Sequence, residues 1–118
     1  MIFVIDDDRG ARDSLRLVLE CEGFEAQEFA SCEAFLNAGG ATDGDCLILD
    51  VHMSGMNGIE LLETLRRGDS MLPVIVISGR MDGAIRKRAL AAGALAVVEK
   101  PYQAREILDL VRLAMDPG

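Results

Sequence analysis

Five short apolar runs alternate with five stretches of helical periodicity, and no other property of the chain restricts its fold as strongly. The runs are Ile2 to Ile5, Phe24 to Phe29 (which reads as a half-buried strand), Cys46 to Leu49, Val74 to Ile77 and Leu95 to Val98. Between them, apolar side chains recur at helical spacing: Ala11, Leu15, Val18 and Leu19, then Gly58, Leu61, Leu62 and Leu65. Ser31 is placed to N-cap a short second helix. A fourth helix, from about Asp82 to Ala92, stops at Gly93, a residue suited to a left-handed terminus. A fifth carries Ile107, Leu108, Val111 and Met115 on one side. Val74 to Ile77, behind Pro73, is β-branched throughout and reads as a central strand. Strands apolar on both faces and separated by helices require a parallel sheet covered on both sides. Right-handed crossovers then give one doubly wound α/β domain, a three-layer sandwich over residues 1–116, with Pro117 and Gly118 as linker or chain end.

At 118 residues, half of them apolar, the chain is long enough for one well-buried core and too short for two. Twelve Lys and Arg against 20 Asp and Glu leave a formal charge of −8. That balance argues against a direct nucleic-acid surface, which needs clustered cations. No apolar run approaches the roughly 20 residues of a membrane span, and Asp6 to Asp8 interrupts the first run too early for a signal peptide. Cys21, Cys32 and Cys46 are odd in number and widely spaced, which favours buried, reduced thiols and a cytoplasmic location.

In a sheet of this kind, functional groups gather at the carboxyl ends of the strands. Those ends are Asp6-Asp7-Asp8, Asp50, Ser78-Gly79 and Lys100-Pro101. Two carboxylates about 4 Å apart repel by roughly 4 kcal/mol at an effective dielectric near 20, so such a rim needs compensation. Magnesium, a hard cation that takes one or two carboxylates together with water and phosphate oxygens, would supply it (manganese is the alternative), and Lys100 adds a fixed positive charge. A carboxylate so placed can attack phosphorus to form an acyl phosphate. Lys100 and the Ser78 hydroxyl are then suited to the phosphoryl oxygens, and Gly79 leaves room for the incoming group.

These residues carry a resemblance. Val4-Ile5-Asp6-Asp7-Asp8, Leu47 to Gly58 around Asp50, Val76-Ile77-Ser78-Gly79, and Gly93-Ala94 with Glu99-Lys100-Pro101 resemble the receiver domains of two-component response regulators, in order and over essentially the whole chain. Leu49-Asp50-Val51-His52-Met53 and Glu99-Lys100-Pro101-Tyr102 look most like the FixJ-type transcriptional regulators. The resemblance implies a flavodoxin-like (CheY-like) five-stranded sheet of order 2-1-3-4-5 and phosphate drawn from a sensor histidine kinase. It implies Asp50 as phospho-acceptor and magnesium on Asp7, Asp50 and the His52 backbone carbonyl, with Asp6 reached through water. Ser78 and Lys100 match the switch hydroxyl and the phosphate-pairing lysine, with a cis Lys100–Pro101 peptide. Phosphorylation is then expected to draw Ser78 toward Asp50, shift the loop holding Gly79 and Arg80, and repack the fourth helix against Val97. A C-terminal DNA-binding output domain and a homodimer through the fourth helix and fifth strand are further implied partners.

Two positions depart from the family pattern. Ser54 stands where a proline usually follows the methionine, and Val97 stands where the switch aromatic is usual. Simpler roles compete at several sites. Asp8 reads as a helix N-terminal acid rather than a ligand, and Ser78 could cap the next helix, a role compatible with the switch. His52, the lone histidine, reads as a solvent-exposed loop residue. Met53 and Met56 read as packing, and Arg86-Lys87-Arg88 as a solvated face that could also rim a partner surface.

Three rival functions are weaker. A haloacid-dehalogenase-type phosphohydrolase matches the Asp6 and Asp8 spacing but has Gly10 where a threonine is required. A flavodoxin-like nucleotide binder needs a phosphate cradle where three aspartates stand. A receiver fold used only as an interaction module would not need Asp7, Asp50, Ser78 and Lys100 together.

Overall fold

The structure, a computed structural model, describes residues 1–39, 45–53, 55–79 and 83–115. Ser54, Arg80, Asp82, Pro117 and Gly118, which figure in the expectations above, lie outside the described residues.

Strand and helix alternate as β1 (Ile2–Ile5), α1 (Arg9–Cys21), β2 (Ala26–Phe29), α2 (Cys32–Asn37), β3 (Cys46–Asp50), α3 (Gly58–Arg67), β4 (Val74–Ser78), α4 (Gly83–Ala91), β5 (Ala96–Glu99) and α5 (Ala104–Met115). All pairings are parallel and the strand order is β2-β1-β3-β4-β5, the order expected. β1, β3 and β4 are buried along their whole length, as continuous apolar runs in a covered sheet must be. β2 is half-buried, as its sequence reads, with Gln27 exposed at the sheet edge.

Alternate side chains of each strand enter two cores. Phe3, Ile5, Leu47, Leu49, Val74 and Val76 pack with Phe35 of α2, Leu61 and Leu62 of α3 and Ala89 of α4. Ile2, Val4, Ile48, Ile75 and Ile77 pack with Leu15 and Leu19 of α1 and Ile107 and Val111 of α5. The sandwich therefore has α2, α3 and α4 on one face and α1 and α5 on the other. Each fully buried aliphatic or aromatic side chain contributes about 1.5–3 kcal/mol, so these two layers dominate the folding free energy.

Local chemistry sets the boundaries. Ser31 Oγ accepts from the Ala34 amide at 3.0 Å and starts α2. Gly23 turns left-handed at φ 89°, and the Phe24 amide donates back to the Leu19 carbonyl at 3.1 Å. Phe24 thus closes α1, and β2 begins two residues later than the apolar run suggests. β5 is offset by one residue, since Leu95 is exposed. Gly93, at φ 95°, follows α4 as expected.

Two sequence readings need correction. Gly58 is not part of an apolar stripe: a Cβ there would lie 2.4 Å from the Asp50 carbonyl oxygen and 3.0 Å from Leu49 Cγ. Its side chain is absent so that α3 can start against the end of β3. Cys21 is exposed, whereas Cys32 and Cys46 are buried free thiols as expected.

Candidate functional site

Sheet register assembles the rim. Ile5 pairs with Leu49, Asp50 with Ile77, and Ser78 with Glu99. Each next residue, Asp6 after β1 and Lys100 after β5, therefore emerges at the same edge as Asp50 and Ser78. Asp6, Asp50 and Ser78 are buried polar residues.

Lys100 Nζ donates to Asp50 Oδ2 at 2.8 Å and to Asp6 Oδ2 at 3.5 Å. The other carboxylate oxygens are also engaged: Asp50 Oδ1 accepts from the His52 amide and Asp6 Oδ1 from the Asp8 amide, both at 2.9 Å. Burial, aided by the nearby Asp50 charge, raises the Asp6 pKa above the usual carboxylate value, against the Asp8 amide and Lys100. Burial pulls Lys100 down, but its hydrogen bond and charge contact with Asp50, then Asp6, outweigh this and leave its pKa raised. The ammonium is thus held in its charged form between two acids.

The supporting shell is built locally. Asp8 caps α1, its side chain accepting from the Gly10 amide at 3.0 Å, which bears out the structural reading of that residue. Arg12 Nη1 donates to the Asp6 carbonyl at 2.8 Å while Arg12 and Arg16 both pair with Glu28, tying the loop after β1 to β2. Asn57 and Glu60 form a reciprocal capping box at the start of α3, signalled in the sequence by an Asn-x-x-Glu spacing that the apolar pattern had overshadowed. The Lys100–Pro101 peptide is cis.

Not every expected residue joins the cluster. Asp7 is exposed and lines a neighbouring open cleft of about 580 Å³ with Met53, Asn57, Ile85 and Arg88. Asp50, Gly79 and Lys100 line a smaller cleft of about 340 Å³. Successive residues leaving a strand point to opposite sides, so Asp6 faces the lysine and Asp7 turns away. Among the described residues, no three His, Cys, Asp or Glu side chains form a group able to hold a metal. The donor chemistry still suits magnesium: hard carboxylate and carbonyl oxygens, with a buried acid pair that one ammonium compensates only in part.

Ser78 ends β4, and its reading as a cap of the next helix falls on residues 80–82, which lie outside the described residues. Ser78 Oγ is hydrogen-bonded to His52 Nε2 at 2.9 Å. Reading His52 as an exposed loop residue was correct for its surface and missed this contact, because residues 26 apart in sequence meet only across β3 and β4. Val97 and Ile85 pack at the margin of the α2–α3–α4 core, while Tyr102 packs against the opposite one. Met53 and Met56 are packing residues, and Arg86, Lys87 and Arg88 are exposed.

With this geometry in place, the chain matches a sequence family described as the response regulator receiver domain over residues 2–112. It is 37% identical over 114 residues to the transcriptional regulatory protein FixJ of Azorhizobium caulinodans, covering 97% of this chain and 54% of that protein. FixJ of Bradyrhizobium diazoefficiens is 34% identical, with 97% and 56% covered. The chain thus spans about half the length of these curated relatives. Among solved structures, a crystal structure described as FixJ-N superposes with a TM-score of 0.88 at 31% identity, covering 99% of this chain and 94% of that one. The receiver domain of NtrX from Brucella abortus gives 0.88 at 27% identity, with 100% of both chains covered.

Proposed function

Because this chain belongs to the response regulator receiver domain family, we propose that it is a phosphorylation-controlled signalling domain whose Asp50 accepts a phosphoryl group from a sensor histidine kinase. The observation that carries this reading is the Lys100 ammonium held 2.8 Å from Asp50 and 3.5 Å from Asp6 on a rim assembled from separate strands.

Asp50 Oδ attacks phosphorus as the phosphorus–nitrogen bond of the donor phosphohistidine breaks, leaving the imidazole with the electron pair. Lys100 neutralises charge on the arriving phosphoryl oxygens, and the Ser78 hydroxyl donates to one of them. The hydrogen bond from the His52 amide orients the carboxylate. Gly79 leaves space, since even an added Cβ would come no nearer than 3.9 Å to the Lys100 side chain. Magnesium, or manganese, would be held by Asp7, Asp50 and the His52 carbonyl, with Asp6 through water; when bound it offsets the charge of the phosphoryl oxygens. Asp7 lies in the adjoining cleft, so its part in this set requires that side chain to turn toward Asp50.

The reaction is stoichiometric, which makes the domain a switch and not a turnover enzyme. Movement of Ser78 toward the phosphoryl group would alter the segment after Gly79 and the packing of α4 near Val97. Output would pass to a DNA-binding domain beyond this chain, in keeping with relatives named as transcriptional regulators, and through a homodimer across α4 and β5, in the cytoplasm. Among the described residues no helix is long and apolar enough to cross a membrane.

Labelling with acetyl [³²P]phosphate and magnesium tests the reading. One base-labile label per chain is expected, absent in Asp50→Asn. Equal labelling of that variant would overturn it.

A further inference from the structure

The contact between His52 and Ser78 has no part in phosphoryl acceptance, yet it occupies the hydroxyl on which switching depends. The His52 backbone is pinned to Asp50 by its amide, while its imidazole reaches across to β4, with Nε2 2.9 Å from Ser78 Oγ. Ser78 is fully buried, and its carbonyl accepts from the Lys100 amide at 2.9 Å, which fixes its backbone to β5. With its backbone so held, a change of partner falls to the Ser78 side chain. His52 is also the lining residue that the Asp50–Lys100 cleft and the Asp7 cleft share.

We propose that the His52 imidazole is the resting-state acceptor for the Ser78 hydroxyl, and that a phosphoryl group on Asp50 engages Ser78 only by taking that proton away from Nε2. A hydroxyl has a single proton to donate, and a phosphoryl oxygen without its own proton can only accept. The two hydrogen bonds are therefore mutually exclusive. His52 is a positioning residue: it acts on the phosphoryl group through Ser78 and sets how much of the binding free energy is used in releasing the switch. This rests on Asp50 as the acceptor.

Beryllofluoride with magnesium, titrated into the ¹⁵N-labelled domain at pH 8, provides the test. In the free protein, Nε2 is expected to show the shift of an unprotonated ring nitrogen, and to move on saturation. Exchanging one neutral hydrogen bond, His52→Ala should bind beryllofluoride roughly 3- to 10-fold more tightly than the parent. His52→Gln, whose side-chain carbonyl can accept the same proton, should bind like the parent. In a Ser78→Ala background, His52→Ala should change the affinity no further. Unchanged or weaker binding by His52→Ala, a protonated Nε2 in the free state, or the same gain in the Ser78→Ala background overturns the competition while leaving Asp50 as acceptor. Failure of the parent to bind at all overturns the acceptor reading and the competition with it.

Discussion

Lys100 Nζ lies 2.8 Å from Asp50 Oδ2, a contact between residues 50 apart in sequence. It exists because β5 is two strands removed from β3, with β4 between them in register. The ammonium compensates two carboxylates that the sheet would otherwise bury side by side, and its energetic weight can be measured directly.

Lys100→Met should destabilise the domain by about 1–3 kcal/mol at neutral pH with EDTA present, less than a fully buried pair would lose because the lysine is partly solvated. Added magnesium should restore part of the loss by supplying the missing positive charge. Urea unfolding followed by circular dichroism checks both; equal stability in EDTA would show that the ammonium is not the compensating charge.

Gly58→Ala should cost about 2–4 kcal/mol, because the added methyl meets the Asp50 carbonyl at 2.4 Å and strand backbone cannot give way cheaply. Phosphoryl acceptance should fall with it, since the start of α3 would have to move away from the end of β3. Thermal unfolding together with the labelling rate gives the answer; a variant of parental stability would mean that α3 has room to shift.

Thiol chemistry should divide the cysteines one to two. Burial pushes both Cys32 and Cys46 up to about 12, so neither forms thiolate near pH 8, whereas Cys21 is exposed on the last turn of α1. Ellman's reagent at pH 8 should release one equivalent from the native protein and three in guanidinium chloride. Three equivalents from the native state would contradict the burial of β3 and α2.

Glu63 on α3 pairs with Arg88 on α4 at 2.9 Å, and that hydrogen bond holds the carboxyl below its usual 4.5. A depressed carboxylate pKa stabilises the fold above the unfolded value and is lost as pH falls through the folded value. Arg88→Ala should therefore return the Glu63 titration midpoint upward to the ordinary carboxylate range and flatten the acid limb of the stability profile between the two values. Carbon-detected NMR of the side-chain carboxyl reads this shift; an unmoved midpoint would show the pair does not form in solution.

What could be read from the chain alone was whatever short-range chemistry dictates. Apolar runs of strand length placed β1, β3 and β4, Ser31 announced its cap, and Gly93 its left-handed turn. The strand ends then located Asp6, Asp50, Ser78 and Lys100 at one rim, because a parallel doubly wound sheet leaves its carboxyl ends nowhere else to converge. Gly58 was misread because a glycine within an apolar period looks like part of the stripe; only the approach of α3 to the Asp50 carbonyl explains it.

Side-chain direction and partner choice were decided by tertiary structure. Asp6 and Asp7 are neighbours in sequence, yet one is buried against Lys100 and the other faces a separate cleft. His52 and Ser78 are hydrogen-bonded although nothing in their spacing announces it. Residue types and periodicity determine which elements form and which ends meet, since those follow from local propensity and burial. Which atoms touch at the rim follows from strand register and rotamer packing, which exist only once distant segments have been brought together.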